Sequence, residues 1–331
     1  MNSAERAENR RVGSLRAQRA LKSAGIDTES PVDVFGAIEE QRVWLIFQML
    51  DTLYGAYRRQ ENPGIVLHAG HPFRLQRFTA AHELGHHLLG HDVSVDSRDE
   101  VEGQGGSLPA QEIQAQAFAA TFLMPVQLVN RALSQRSLSR RPGIISPAEA
   151  YLLSLELGAS YMATITQLRA LDRITFANAR ALSKSRPIDI KTELAAGERP
   201  AISRADVWFL RSSDNGRHLR VLPGDEIHAY LSELPTTGYR WDPVDSTGAV
   251  EVVGNTTVAQ DDGQGSTIGA ARDRHLWWRA LNPSSGSVIA ELSRSFDPES
   301  VVDRFAVELE VASPRTGSAP SGVSRRQLQL A

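Results

Sequence analysis

The apolar pattern of this chain changes period once, between residues 185 and 204, and that change limits what it can fold into more than any other feature. On the N-terminal side apolar residues recur at helical spacing, as at Val12, Leu15 and Leu21, and again through 77–89, 111–123 and 146–182. On the C-terminal side the period is two: the runs 207–210, 226–231, 276–280, 287–292 and 304–311 are short and separated by Gly, Pro, Asn and Asp. A helical stripe and a strand alternation bury their faces against different kinds of partner, so the chain reads as separate folding units. Its 331 residues also exceed the usual size of one domain. The expected divisions are a domain over 1–130, a helical connector over 131–184, a linker over 185–204 containing Pro187, Gly197 and Pro200, a β-sandwich over 205–313, and a disordered tail over 314–331.

The chain has no cysteine, so disulfides, thiolate metal sites and a cysteine nucleophile are excluded, and any metal must be held by His and carboxylate. With 36 basic and 39 acidic residues the net charge of −3 supplies no global pull toward nucleic acid or anionic lipid. Residues 1–20 lack the apolar segment of a secretory signal, and the longest mainly apolar run, 43–50, is too short to span a bilayer. The expected setting is the cytoplasm, without membrane attachment.

Within the helical pattern of 77–89 stands His82-Glu83-Leu84-Gly85-His86, the spacing H-E-x-x-H. Two His at i and i+4 share one helix face about one turn apart, which suits a single tetrahedral ion. Glu83 is placed to take a proton from the attacking water, whose pKa a zinc ion lowers to roughly 7. A catalytic zinc needs a third protein ligand. His87 points about 100° away from His86, and His91 stands at five residues where a longer zinc-peptidase pattern needs six. Glu112 opens a following helix on which Ala115 and Phe118 can pack against the first, and it is the ligand expected. Zinc is the expected ion, and manganese suits the same donors. The strands 43–50 and 64–68 precede this helix, and 64–68 is expected at the sheet edge, where it would align a substrate backbone. His68 and His71 read as solvated loop residues, with substrate contact as the alternative.

The stretch 77–91, with Glu112 to Phe118 and Phe122-Leu123-Met124-Pro125, resembles the ImmA/IrrE family of bacterial and phage metallopeptidases. The resemblance runs from the N-terminal helix to about Leu171. It implies a thermolysin-like zincin core that cuts a DNA-binding repressor at a specific site and so switches on stress-response or mobile-element genes. Residue by residue, it implies that His82, His86 and Glu112 are metal ligands and Glu83 the catalytic glutamate. The chain departs from the family at Gln116, where Asn or Asp is common.

The segment 146–171 has the form helix, turn at Gly158-Ala159-Ser160, helix, which is the outline of a helix-turn-helix. Tyr161, Thr164 and Gln167 would then face base edges, although only Arg169, Arg173 and Arg180 add nearby positive charge, a thin footprint for DNA.

In the period-two half, Gly224-Asp225-Glu226-Ile227 and Leu234-Pro235-Thr236-Thr237-Gly238-Tyr239-Arg240-Trp241 resemble chagasin-like inhibitors. These are immunoglobulin-like sandwiches that block papain-type cysteine peptidases with three loops. The resemblance implies partner-binding loops at Pro235, Thr236, Thr237 and Gly238, at Gly263 and Gly265, and at Arg294 and Phe296. Leu234 and Ser295 depart from its pattern.

The fold expected is therefore α+β: a thermolysin-like zincin domain with a helix-turn-helix-like connector, followed by an all-β immunoglobulin-like sandwich. The function expected is site-specific zinc-dependent endopeptidase activity on a protein regulator, with the β domain binding a partner or restraining the cleft. The alternatives are a DNA- or protein-binding regulator with little peptidase activity, and a cysteine-peptidase inhibitor carried on a peptidase domain.

Overall fold

The computed structural model describes residues 1–97, 108–138, 143–244, 248–259, 272–294, 296–297, 299–312 and 317–318. The chain divides into two compact units, Met1–Ser185 with Arg315–Ala331, and Arg186–Pro314. The first is mixed α and β with a mainly helical build, and the second is a β-sheet unit.

The first unit opens with α1 (Ser3–Ser23), started by a reciprocal cap between Asn2 and Glu5. Then follow α2 (Val34–Glu40), β1 (Trp44–Gln48), β2 (Leu53–Arg58), β3 (Gly64–His68), α3 (Phe73–Leu89), β4 (Val93–Ser97), α4 (Ala110–Leu123) and α5 (Val126–Gln135). Strands β2 and β4 lie in stretches to which the sequence reading assigns no strand.

These strands form a sheet with the order β13-β1-β3-β2-β4, where β13 (Gly317–Ser318) comes from the far end of the chain and pairs antiparallel with β1. The tail expected to be disordered thus contributes two residues to this sheet, and 319–331 lie outside the described residues. Strand β3 is interior, parallel to β1 and antiparallel to β2, so the expectation that it forms an edge is overturned. Among the described strands β4 is the edge on that side.

Helix α3 lies on the sheet face that carries Gly55, Tyr57, Ile65 and Leu67, of which the last three are fully buried. Helix α4 packs on α3 at Gly85, where an added Cβ would stand 3.1 to 3.2 Å from Phe118. On its other side α4 meets α1 at Gly13, where a Cβ would run into the Gln114 carbonyl. Two missing side chains therefore let three helices stack closely enough to share polar groups.

The connector holds α6 (Pro147–Leu157), capped reciprocally by Ser146 and Glu149, then α7 (Tyr161–Ala170) and α8 (Phe176–Leu182). The helical spacing that runs to residue 182 is broken at Asp172, which takes φ +52°, and Thr175 caps a new helix by accepting a bond from Asn178 N. The residues expected to face DNA are turned inward. Thr164 is fully buried, Gln167 donates to Met124 O at 2.9 Å, and the Tyr161 hydroxyl donates to Leu182 O at 3.1 Å. Arg77, buried on α3, donates to both the Gly158 carbonyl and the Val32 carbonyl, which ties the connector's turn to the helix of the H-E-x-x-H motif. No helix among the described residues is long and apolar enough to cross a membrane.

The second unit begins with α9 (Pro187–Leu194), in the stretch expected to be a linker. Its strands are β5 (Val207–Arg211), β6 (His218–Val221), β7 (Glu226–Glu233), β8 (Tyr239–Val244), β9 (Val250–Ala259), β10 (Arg272–Ala280), β11 (Ser284–Arg294) and β12 (Asp303–Val311). They form two four-stranded sheets, β5-β7-β10-β9 and β6-β12-β11-β8. Ile227, Ala229, Leu231, Leu276 and Trp278 of the first sheet, and Val288, Ala290, Phe305 and Val307 of the second, are fully buried. The opposite face of the first sheet is also buried, because α9 and the chain after it lie over it: Tyr230 donates to Leu194 O at 2.9 Å, and Ala201 N donates to Glu226 at 3.2 Å.

Candidate metal centre

One turn of α3 separates His82 from His86, and the start of α4 brings Glu112 against both. His82 Nε2 lies 3.1 Å from Glu112 Oε2, His86 Nε2 lies 3.0 Å from His82 Nε2, and His86 Nε2 lies 3.5 Å from Glu112 Oε2. A tetrahedral zinc with bonds of roughly 2.0–2.2 Å has ligand atoms about 3.3–3.5 Å apart, so the observed triangle has the size of one face of that tetrahedron. The three side chains are buried, and their donors match borderline divalent ions. The residues therefore fit such an ion.

Burial alone would disfavour the charged form of Glu112, but hydrogen bonds to His82 and His86 outweigh it and hold the carboxyl well below its ordinary range. Glu83 follows His82 directly and is fully buried. It faces β2 at Gly55, where an added Cβ would stand 2.5 Å from Thr79 Cγ2 and 3.0 Å from Glu83 Oε1. A strand without a side chain at this point makes room for the carboxylate. Sequence reasoning missed Gly55, although an isolated Gly inside a strand pattern signals close approach.

The rejected ligand candidates have other occupations. His87 Nδ1 lies 3.0 Å from the Tyr57 hydroxyl, against β2, and burial lowers its pKa. His91 follows Gly90, whose φ of +81° ends α3 in a left-handed turn, and its N–H returns to His86 O at 3.0 Å. This puts His91 Nδ1 2.9 Å from His86 Nδ1 and His91 Nε2 3.1 Å from Gln114 Oε1. Burial lowers the pKa of His91 as well. His68 and His71, both half-buried, stack at 4.0 Å, and Tyr54 meets His71 edge-on at 4.3 Å.

In the β unit, Pro235–Thr237 form a 3-10 turn closed by Thr237 Oγ1 donating to Leu234 O at 2.7 Å, and Gly238 follows at φ +77°. Arg294 pairs with Tyr239 across β11 and β8 and lies 4.7 Å over its ring and 5.7 Å from that of Phe296. The first and third expected loops are therefore adjacent. Gly263, Gly265 and Ser295 lie outside the described residues.

Comparison with known proteins agrees with this division. Residues 38–164 match the peptidase family described as the IrrE N-terminal-like domain, and residues 220–311 match the chagasin family of peptidase inhibitors. The chain thus joins an IrrE-like peptidase-family domain to a chagasin-like β domain, with α1 outside the matched region. No curated protein matches it. Among solved structures, a cysteine protease inhibitor from Entamoeba histolytica is 16% identical and aligns with 33% of this chain and 97% of its own, at a TM-score of 0.30. A Mycobacterium tuberculosis transcriptional regulator is 13% identical over 83% of this chain and 81% of its own, at 0.35. These superpositions are too loose to carry an assignment, which rests on the family matches.

Proposed function

We propose that this chain is a zinc-dependent endopeptidase with a thermolysin-like zincin core, in which His82, His86 and Glu112 hold the ion and Glu83 is the general base. What supports it is the convergence of three donor atoms on one point beside a buried carboxylate. Zinc, or manganese in its place, supplies Lewis-acid polarisation of the scissile carbonyl and acidification of the attacking water when bound. Two neutral imidazoles and one ionised carboxylate carry a single negative charge, which leaves half of a divalent charge uncompensated for that task. Glu83, set against the bare backbone of Gly55, takes the water's proton and returns it to the leaving amine. The substrate backbone adds to the edge strand β4, and the substrate is a protein regulator such as a DNA-binding repressor. The reaction takes place in the cytoplasm, in a stress or transcriptional response.

In the same reading the β unit is an immunoglobulin-like sandwich whose 235–238 and 294–296 loops hold a protein partner, a cysteine peptidase in the first instance. Phe296 is 80% exposed beside the Arg294 guanidinium, which offers an aromatic and a cation together.

The test is incubation of the zinc-loaded chain with a proteome-derived peptide library, with new termini read by mass spectrometry. Cleavage at restricted sequences, lost in Glu83→Gln with zinc retained, is expected. A fully loaded chain that cuts nothing would overturn the peptidase reading. Titration of papain with the whole chain tests the loops, and no inhibition at micromolar concentration would remove the cysteine-peptidase partner.

A further inference from the structure

A chain of side chains leads away from the metal centre into α1, and its direction is fixed at the far end. Asn9 Nδ2 lies 3.0 Å from the Glu5 carbonyl oxygen, which can only accept, so the amide nitrogen must face it and Asn9 Oδ1 faces the other way. That oxygen lies 2.6 Å from Gln114 Nε2, which donates to it. Gln114 therefore turns its Oε1 toward His91 and accepts from His91 Nε2 at 3.1 Å. A neutral imidazole has one N–H. With the proton on Nε2, His91 Nδ1 accepts, and the atom 2.9 Å away, His86 Nδ1, must donate. His86 then bears its proton on Nδ1 and leaves the Nε2 lone pair bare, at the corner of the triangle with His82 and Glu112.

We infer that Asn9, Gln114 and His91 are positioning residues that lock His86 in the tautomer a metal ligand needs, so that α1 is part of the metal centre. This rests on the reading of His86 as a ligand. Every link has one direction that satisfies all partners, and the reverse direction would place a proton on His86 Nε2, where the ion belongs. Helix packing makes the chain short enough to work. Gly13 lets α1 approach α4 at Gln114, and the turn at Gly90 folds His91 back onto His86. Arg59 donates to the Gly90 carbonyl and Arg16 to the Leu88 carbonyl, both at 2.8 Å, which holds that turn in place. Partners of this kind typically contribute about 10- to 100-fold to metal affinity.

Two measurements test this. Long-range proton–nitrogen correlation spectra of the ¹⁵N-labelled, metal-free chain report the tautomer of each of its nine histidines. His91 is expected as the Nε2–H form and His86 as the Nδ1–H form, and Nε2–H on His86 would overturn the inference whether or not zinc binds. Zinc affinity by competition with a chelator is then compared between wild type, His91→Ala, Gln114→Leu and Gln114→Glu, with melting temperature of the metal-free protein as the check on folding. His91→Ala and Gln114→Leu are expected to weaken zinc about 10- to 100-fold. Gln114→Glu still accepts from His91 but loses the donation to Asn9 Oδ1, and is expected to weaken zinc less than Gln114→Leu does. Wild-type affinity in the first two variants, or a loss in Gln114→Glu as large as in Gln114→Leu, would overturn the relay. A wild-type chain that binds no zinc would reject the ligand reading, and the spectra would still decide the tautomers.

Discussion

Among the described residues two His-His-Glu sets are buried, one in each unit, and they are built to opposite ends. In the first, His82, His86 and Glu112 each present one atom to a common point, in a triangle with sides of 3.0, 3.1 and 3.5 Å. In the second, the members are strung in a row: Glu226 Oε2 lies 3.4 Å from His228 Nε2, and His228 Nδ1 lies 2.8 Å from His275 Nε2. The row uses both nitrogens of His228 on protein partners and leaves no shared vertex. Its rings also stack, His275 on Tyr230 at 4.4 Å and on Trp277 at 4.6 Å. Residue type and burial are the same in the two sets, so what marks a metal centre is convergence of lone pairs.

The largest expected effect breaks the triangle. Glu112→Ala or His86→Ala should weaken zinc by at least about 10³-fold, given that a few ligands share a binding energy of roughly 10–16 kcal/mol. Glu226→Ala should leave zinc content, read by elemental mass spectrometry, unchanged. Zinc lost on changing Glu226 would erase the distinction between the sets. Next, Glu83→Gln should lower peptide turnover about 10²- to 10⁴-fold, measured at full zinc occupancy.

The row should respond to acid. Burial, and then the neighbouring His228, push the pKa of His275 from 6.5 down to about 4. Between those values the unfolded chain holds a proton that the folded ring refuses, so stability falls as pH drops through the window and levels off below about 4. The loss is at most about 3 kcal/mol. Glu226, Arg279 and Asp273 share this sheet face; burial acts to raise the pKa of Glu226, the hydrogen bonds from His228 and Ala201 outweigh it and hold it low, and its protonation adds a loss in the same direction below the ordinary carboxylate range. Urea unfolding followed by tryptophan fluorescence suits the question, since Trp208, Trp241, Trp277 and Trp278 all lie in the β unit. His275→Phe should flatten the slope between pH 6.5 and 4, and an unchanged slope would count against His275 as its source. The smallest contrast is amide for acid: Glu226→Gln still accepts from His228 but turns its NH2 toward Ala201 N, and the one lost bond should cost about 1–2 kcal/mol, whereas Glu112→Gln removes the site's negative charge and should cost zinc at least about tenfold.

The triangle was legible in the sequence because a helix converts the spacing i, i+4 directly into a shared face, and because Ala115 and Phe118 set the facing side of α4. The relay was not, since Asn9, Gln114 and His91 are separated by 82 or more and 23 positions and meet only through helix packing at Gly13 and the turn at Gly90. Strand β2 went unseen because Gly55 removes an apolar side chain from its buried face. The interior position of β3 depends on pairing partners on both sides, which hydrophobic pattern does not encode. The inward turn of Tyr161, Thr164 and Gln167 escaped notice because a polar stripe on a helix reads as solvent-facing until its hydrogen-bond partners are known.

Pro187 and Gly197 look like linker punctuation in the sequence, yet they start and stop a helix: Pro187 occupies its first turn, and Gly197 sits just past it at φ +91°. Lys191 then gathers the Ser203 and Ala205 carbonyls at 3.3 and 2.7 Å, which draws the segment 186–206 into a strap across Glu226, His228 and Tyr230. The strap acts as the cover of an aromatic face. A protease nick near Gly197, or a fragment begun at residue 205, would bare Tyr230, whose ring stacks on His275, and leave the β unit more prone to self-association.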